Sequence, residues 1–442
     1  MKRPLLRLKG LNNERGAALI VVLMVFVVIC ILGAAITGLA ANNMKMSSIE
    51  RTSQASYYIA ESGVTQRVNE IGPALKDVYG LAVNGTDFFN KVDNALELGI
   101  EKAYRNFESS LGQNPVAKVK IERVPSDTII SYSNDYKITS VGKIGNSSRK
   151  VTKIIHVAWK PKSSVTIPAD AVLFSKDDFL VKNYKITGSV GSNGVITLQG
   201  GQASISGNVY NKVGTSLTMP DFPTFPIPAT AVNFQETSLK MDHDKVFNTL
   251  TINSNSTLTI DVGKTNKNLV VNNLNLLSYG KIRIIGDGKL SIYAKNITLS
   301  GNNIINTDGN IEKLYIFLDG SGSTLNNGII YGSMYANNTS LTVNNDSGIQ
   351  GHLITNGTNI YINGAALTYS KMIYAPSATV SINASVTGAI ICKTITSSGN
   401  DDNIKFQFVQ INYDNSPLYV DNGKGLSPVK DMITQEPVRE NN

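Results

Sequence analysis

The chain has 442 residues, 42% of them hydrophobic and 17% charged, with two cysteines and a formal net charge of +8. That length admits two or three domains, and two cysteines exclude a disulfide-stapled scaffold. Half of the +8 lies in the first 15 residues, where Lys2, Arg3, Arg7, Lys9 and Arg15 are opposed only by Glu14. The remainder is scattered without a basic block or interleaved aromatics, which argues against nucleic acid as a partner.

Behind this basic stretch runs Ala17–Ala41, AALIVVLMVFVVICILGAAITGLAA, with no charge. Its 25 residues make a helix of roughly 37 Å, enough to cross a bilayer core with some tilt. Lys and Arg before the run place the N-terminus in the cytoplasm and everything after about Asn42 outside. A plain single-pass anchor uses the same physics. Cys30 lies inside this run and Cys392 far along the chain, so both read as small apolar packers rather than a disulfide. From Asn42 to Glu70 there is no Pro, and Met44, Ile49, Ala55, Ile59, Val64, Val68 and Ile71 recur at helical spacings. Gly72-Pro73 is the expected stop, giving one helix over 17–73.

Residues 1–75 resemble the N-terminal region of type IV prepilins, specifically the PilX-type minor pilins. The short basic leader, the Glu14-Arg15-Gly16 junction before Ala17-Ala18-Leu19, and the element SQASYYIAESGV at Ser53–Val64 carry the resemblance. Tyr58, Ala60, Glu61, Ser62 and Gly63 stand where that family has aromatic, Ala, Glu, Ser and Gly, while Ile59 departs from its first Ala. The resemblance implies a leader at 1–16, cleavage by a prepilin peptidase between Gly16 and Ala17, and N-methylation of Ala17. It also implies a transient membrane stage, partnership with other pilins and the assembly machinery, and display on a pilus or pseudopilus. Major pilins carry Glu at the fifth mature position, where this chain has Val21, which points away from a major subunit.

Residues 74–165 read as a small α/β unit. A helix is expected over Val92–Leu111 and a strand over Ala117–Val124. A hairpin follows over Asp135–Trp159, turning at Gly145-Asn146-Ser147. His156 and Trp159 are expected on opposite strand faces, and Trp159 in packing rather than in a ligand platform.

A repeat follows. Ile186-Thr-Gly188-Ser-Val190 recurs as Ile205-Ser-Gly207-Asn-Val209, then as Ile330-Tyr-Gly332-Ser-Met334 and Ile349-Gln-Gly351-His-Leu353. Tyr369-Ser-Lys371-Met-Ile373 and Val386-Thr-Gly388-Ala-Ile390 close the series. In phase with it run Leu341-Thr-Val343, Ile360-Tyr-Ile362 and Val380-Ser-Ile382, with Leu290–Ile292, Ile297–Leu299 and Leu314–Leu318 upstream. A period near twenty with short alternating strands predicts a parallel β-helix over 166–414, right-handed by resemblance to β-helical domains on PilX-type N-termini. Gly in the repeat suits positive φ or close backbone approach, and turn Asn residues can stack between coils. The segment Met219–Ala229, with four prolines, excludes helix and regular strand pairing. It is expected to run extended along the outside, anchored by Phe222 and Phe225. Thr230–Asn248 then forms a short helix or excursion, the solenoid resumes near Thr249, and the tail over 415–442 frays.

The fold class is therefore mainly β, with a long N-terminal helix, a small pilin-like unit and a β-helix. Catalysis finds little support. His156, His243 and His352 are unrelated in position, so no metal cluster or triad forms, and no cofactor is implied. His352 reads as a tolerated face residue. Asp401-Asp402 and Asp242-His-Asp244 are the tight acidic groups, each a weak calcium candidate. Tyr293, Tyr315, Tyr335, Tyr361 and Tyr374 are candidates for an exposed glycan-binding or surface-binding face. Three functions stay open: a minor pilin or pilin-like component displaying a non-catalytic module, a membrane-anchored surface adhesin, and a polysaccharide-active enzyme.

Overall fold

The computed structural model describes residues 14–108, 114–125, 130–163, 168, 170–182, 184–200, 203–320, 323–326, 328–344, 347–363, 372–383, 385–396, 405–411, 419–420 and 432–440. Helix α1, Glu14–Leu81, is 68 residues long, on the order of 100 Å at 1.5 Å per residue. It is exposed from Ala18 to Arg51 and packs on a sheet from Ser53 onward. The helix runs through Gly72-Pro73, where the sequence predicts its end. An interior Pro costs about 3 kcal/mol, but Ile71, Leu75 and Tyr79 lie on the buried face of the same turns. Burying three large side chains, at about 1.5–3 kcal/mol each, outweighs that loss.

The second helix is earlier and shorter than expected. Helix α2 is Gly85–Ala95, with the Asn84 side chain accepting from the Asp87 N–H at its N-cap. Glu97 and Gly99 take left-handed φ values of 49° and 78°, and the chain leaves as β1, Glu101–Tyr104. The alternation of Leu96, Leu98 and Ile100 therefore belongs to a helix exit. Strands β2 (Val116–Arg123), β3 (Ser133–Ile144) and β4 (Ser147–Ala158) complete an antiparallel sheet in the order β1-β2-β3-β4. The hairpin turns at Gly145-Asn146, as the sequence predicts.

Beyond β4 the tail does not fray where it is described. Ile433–Gln435 and Arg439–Glu440 pair antiparallel with β4 and cover its edge. An uncovered strand edge leaves unpaired N–H and C=O groups, and Met432 is buried in the head core. Met432→Ala is expected to lower the unfolding free energy by about 2–5 kcal/mol, read from a denaturant midpoint.

The rest is a β-solenoid of about 10 turns. One inward column runs Leu269, Ile292, Ile316, Met334, Leu353, Ile373 and Ile390, each paired with the next across parallel strands. All of them are buried, so each coil's apolar side chains find their partners only in the neighbouring coils. The predicted phases hold, with Ile330 opposite Ile349 and Leu341 opposite Ile360 opposite Val380. Upstream coils are longer than the repeat suggests, stepping from Lys267 to Leu290 to Leu314. Asn383, Asn363 and Asn344 form the expected ladder, bonded at 3.3 and 3.2 Å. Both predicted uses of glycine occur. Gly188 sits at φ 132°, and a Cβ on Gly351 would lie 2.5 Å from the Gly332 carbonyl.

The solenoid is not wound in chain order. Its long sheet begins with Ala171–Ser175, Ser189–Ser192 and Val209–Tyr210, which stack toward one end. The chain then crosses the whole stack and restarts at the far end with Asn233–Phe234. From there it coils back until Ala389–Thr396 pairs with Ala171–Ser175, Ile390 opposite Leu173. No helix forms in 230–248. Asn233–Phe234 and Ser238–Lys240 instead pair parallel with the following coil, and the solenoid resumes at Asn233 rather than Thr249.

The crossing segment is the Pro-rich one. Eleven strand gaps separate its two ends in the sheet order, roughly 53 Å at about 4.8 Å per gap. The chain between Tyr210 and Asn233 would reach only about 35 Å as a helix, but about 70 Å in a polyproline-like conformation. Its prolines thus hold the reach that the topology demands.

Candidate functional site

The exposed half of α1 holds no acidic or basic residue between Ala18 and Asn43, and it is long and apolar enough to cross a membrane. Thr37 satisfies its hydroxyl internally, donating to the Gly33 and Ala34 carbonyls at 3.0 and 2.9 Å. Val21 is exposed there. Gly16 and Ala17 lie in the first turn of α1, with their side-chain surroundings outside the described residues; the leader before residue 14 also lies outside them.

The Ser53–Val64 element is where α1 meets the head. Ser56, Ala60 and Gly63 face the sheet and are buried, while Tyr58 and Ser62 point to solvent. Two glycines permit the approach: a Cβ on Gly63 would lie 2.6 Å from Ala117 Cβ, and one on Gly142 only 2.2 Å from the Ser56 carbonyl. Arg149 donates to Ser53 Oγ from Nε at 2.8 Å and Nη2 at 2.6 Å, and its Nη1 reaches Glu440 at 3.0 Å. The small residues in this element are thus packing residues.

One turn further on, Arg67 is buried and bonds Glu70 at 2.9 Å and the Leu96 carbonyl at 2.8 Å. Lys102 and Tyr104 of β1 also donate to Glu70, at 2.8 and 3.0 Å. Burial, then the hydrogen bond to Glu70, pushes the Tyr104 phenol up to about 12. Sequence reasoning missed this network because its partners come from α1, β1 and the exit of α2.

The head and solenoid meet over an apolar column on the outer side of the long sheet. Val270, Tyr293, Phe317, Tyr335, Ile354, Tyr374 and Ile391 stack in register, and all are buried. The Pro-rich strap covers part of this column. Tyr374 Oη donates to the Thr218 carbonyl at 2.8 Å and Tyr335 Oη to the Pro220 carbonyl at 2.5 Å. Phe222 meets Tyr335 edge-on at 5.0 Å, and Phe225 meets Tyr293 at 5.5 Å. The anchors are those expected, but the strap is enclosed between head and solenoid. Gly85 N donates to Asp221 at 3.2 Å, and Ser131 N donates to the Thr224 carbonyl at 3.1 Å. Tyr293, Tyr335 and Tyr374 are therefore not an exposed binding face. Of the five tyrosines considered, Tyr361 is exposed and Tyr315 half-buried.

The histidines stay apart. His156 Nδ1 lies 2.7 Å from Asp135 and Nε2 3.6 Å from Glu436 of the tail, and Lys267 of the solenoid lies 3.9 Å from Glu436. His352 is buried beside Gly351, and His243 is exposed next to Asp242. Asp242 pairs with Lys245 at 2.7 Å, whereas Asp244 turns to Asn268, accepting from its side-chain amide at 2.7 Å. Burial holds the Asp244 carboxyl above its ordinary range, against that hydrogen bond. The two carboxylates of Asp242-His-Asp244 thus have different partners, and no group of three metal-ligating side chains occurs among the described residues. Asp401-Asp402 and Tyr369–Lys371 lie outside them. Trp159 is a core residue, as expected, but with aromatic company at 5.1 Å from both Tyr79 and Phe88. Because β4 ends at Ala158, Trp159 escapes strand alternation and lines the same cavity as His156.

Residues 15–65 match the PilX N-terminal family. The N-terminal region of this chain is PilX-type. The PilX-type stretch includes Gly16, Ala17 and all of Ser53–Val64, and it ends within the part of α1 seated on the head. Residues 246–371, within the coils that wind back, match a domain of unknown function, DUF7305. Among solved structures, the chain is similar to the competence-associated pilin ComZ from Thermus thermophilus. That match has 11% identity and a TM-score of 0.21, over 88% of this chain and 97% of that one. It is also similar to an ice-binding protein from the Antarctic ascomycete Antarctomyces psychrotrophicus, at 14% identity and a TM-score of 0.16, over 54% and 100%. Both scores are too low to bear on fold or role. No curated protein matches the sequence.

Proposed function

We propose that the chain is a minor pilin or pilin-like component that displays a non-catalytic solenoid on a type IV pilus or related assembly. The observation that carries this reading is a PilX-type helix with two unlike halves. The first half is apolar and exposed over its whole length. The second is bound to the head through Ser56, Ala60 and Gly63. A bare anchor needs only the first half, whereas a fibre subunit needs the second as well, to hold its display domain rigidly on the helix that packs into the core. In this reading a prepilin peptidase cleaves between Gly16 and Ala17, Ala17 is N-methylated, and the membrane stage, N-terminus in the cytoplasm, precedes entry into the fibre beside other pilins. Val21 in place of an acidic residue avoids a buried carboxylate that would need a partner, which suits a subunit added in few copies.

Deleting the gene and imaging the surface tests this. The expected result is fewer or shorter fibres, with the protein present in the sheared fibre fraction of the parent. Unaltered fibres together with absence of the protein from that fraction would favour a membrane-anchored adhesin.

A further inference from the structure

The outer faces of the solenoid differ in charge. One is the tyrosine-bearing face under the strap and the head. A second is built on Ser238–Lys240, Thr257–Asp261 and Lys281–Ile285, paired in parallel. With Leu239, Ile260 and Ile284 buried, alternation turns Lys240, Asp261, Lys281 and Arg283 outward. A third face runs through residues 249–252, 273–276, 296–299, 323–326, 341–344, 359–362, 379–382 and 394–396. None of these segments contains Asp, Glu, Lys or Arg. Their inward positions include Leu250, Leu274, Leu341, Ile360, Val380 and Ile395, all buried. The outward ones line up in register, with Thr251, Asn275 and Thr298 in one row. Thr342, Tyr361, Ser381 and Thr396 form another. Seven strand gaps give this face a length of roughly 34 Å at about 4.8 Å each. Its side chains hold one another in place: Asn296 donates to Asn273 at 3.1 Å, and the Ser381 and Thr396 hydroxyls bond at 2.8 Å. Thr is also stiff at χ1. Tyr361 stands between Thr342 and Ser381 with 42% of its surface exposed.

We propose that this uncharged face binds a neutral polysaccharide lying along it. Charge complementarity decides the class of partner. Without an ionised side chain the face forms no charge-assisted hydrogen bond, so a polyanion gains nothing there. Its hydroxyl and amide groups both donate and accept, as do the hydroxyls of a neutral sugar chain. Straight rows suit an extended polymer rather than a single sugar, and the Tyr361 ring offers an apolar plane to one sugar face. The rows are ordered before binding, so little side-chain entropy is lost. The face belongs to the chain with or without a fibre, so a negative result leaves the pilin reading standing. The full chain in detergent is incubated with microcrystalline cellulose, with chitin and with calcium-alginate beads. The bound fraction is measured at low salt and at about 1 M salt, where charges are screened beyond about 3 Å. The expected result is saturable retention on cellulose or chitin, unchanged by salt, and none on alginate. Tyr361→Ala removes the ring, and Thr298→Asp forces an unpaired charge to be desolvated; each is expected to weaken binding by about tenfold or more. Both positions face outward, so the thermal midpoint of the free chain is expected to stay in place, and should one variant lose stability the other carries the test. Arg283→Ser on the charged face is expected to leave binding unchanged. Retention on alginate only, retention abolished by salt, retention on none of the three, weakening by Arg283→Ser, or affinity unchanged in both variants of the uncharged face overturns the proposal.

Discussion

Gly142→Val lifts α1 off the head sheet. A Cβ at this position would lie 2.2 Å from the Ser56 carbonyl and 2.4 Å from the Ala60 N. Both are backbone atoms of a continuous helix, so no rotamer change can relieve the overlap, and the whole helix must move. Overpacking costs about 1–3 kcal/mol, occasionally more, and a backbone collision belongs at the upper end or beyond it. The loss would fall on the segment that joins the membrane-length helix to everything it carries. Trp159 is the only tryptophan and packs on Tyr79 of α1, so its fluorescence reports the seating directly. We expect an unfolding free energy lower by about 3 kcal/mol or more, read from the denaturant midpoint. Gly72→Ala is the control: nothing lies within 4 Å of a Cβ there, and Ala in a helix is favoured by about 0.5–1 kcal/mol. Equal midpoints for Gly142→Val and the parent would mean that α1 is not seated on β3.

Phe225→Ala has the second large effect. Phe225 is buried, touches Phe222 and Tyr293, and carries the Lys295 ammonium over its ring at 4.6 Å. Truncating a buried Phe costs about 3–5 kcal/mol, and here the loss is shared by three bodies because the strap contacts head and solenoid together. The expected result is a lower midpoint together with new protease cleavage between residues 211 and 231, a segment without regular strand or helix. A variant cleaved no faster than the parent would contradict the enclosed strap.

Much of this fold is legible in the sequence, and the exceptions share a cause. The coils at Leu341, Ile360 and Val380 repeat in phase because each must bury its inward side chains on the next, and the spacing survives in the sequence. The discontinuous winding leaves no such trace. Leu173 pairs with Ile390, more than two hundred residues away, yet either side chain would suit any coil of the same column. The outward tyrosines look like surface residues because alternation assigns one face to solvent. Nothing local says that the strap and head cover that face. Pro73 and the C-terminal strands are similar cases, in which a local stop signal and a polar composition yield to burial of Tyr79 and Met432. In the candidate site the small residues Ala60 and Gly63 are visible as a pattern, but their purpose depends on Gly142, 79 residues after Gly63 in the chain. The Arg67–Glu70–Tyr104 network and the cavity at the seam depend on still more distant partners.

In the proposed function the apolar half of α1 is an assembly helix and not only an anchor. The most direct measurement is the intact mass of the N-terminus of the protein recovered from sheared surface fibres. The expected result is a chain beginning at an N-methylated Ala17. A chain that keeps Met1–Gly16, found only in the membrane fraction, would contradict it.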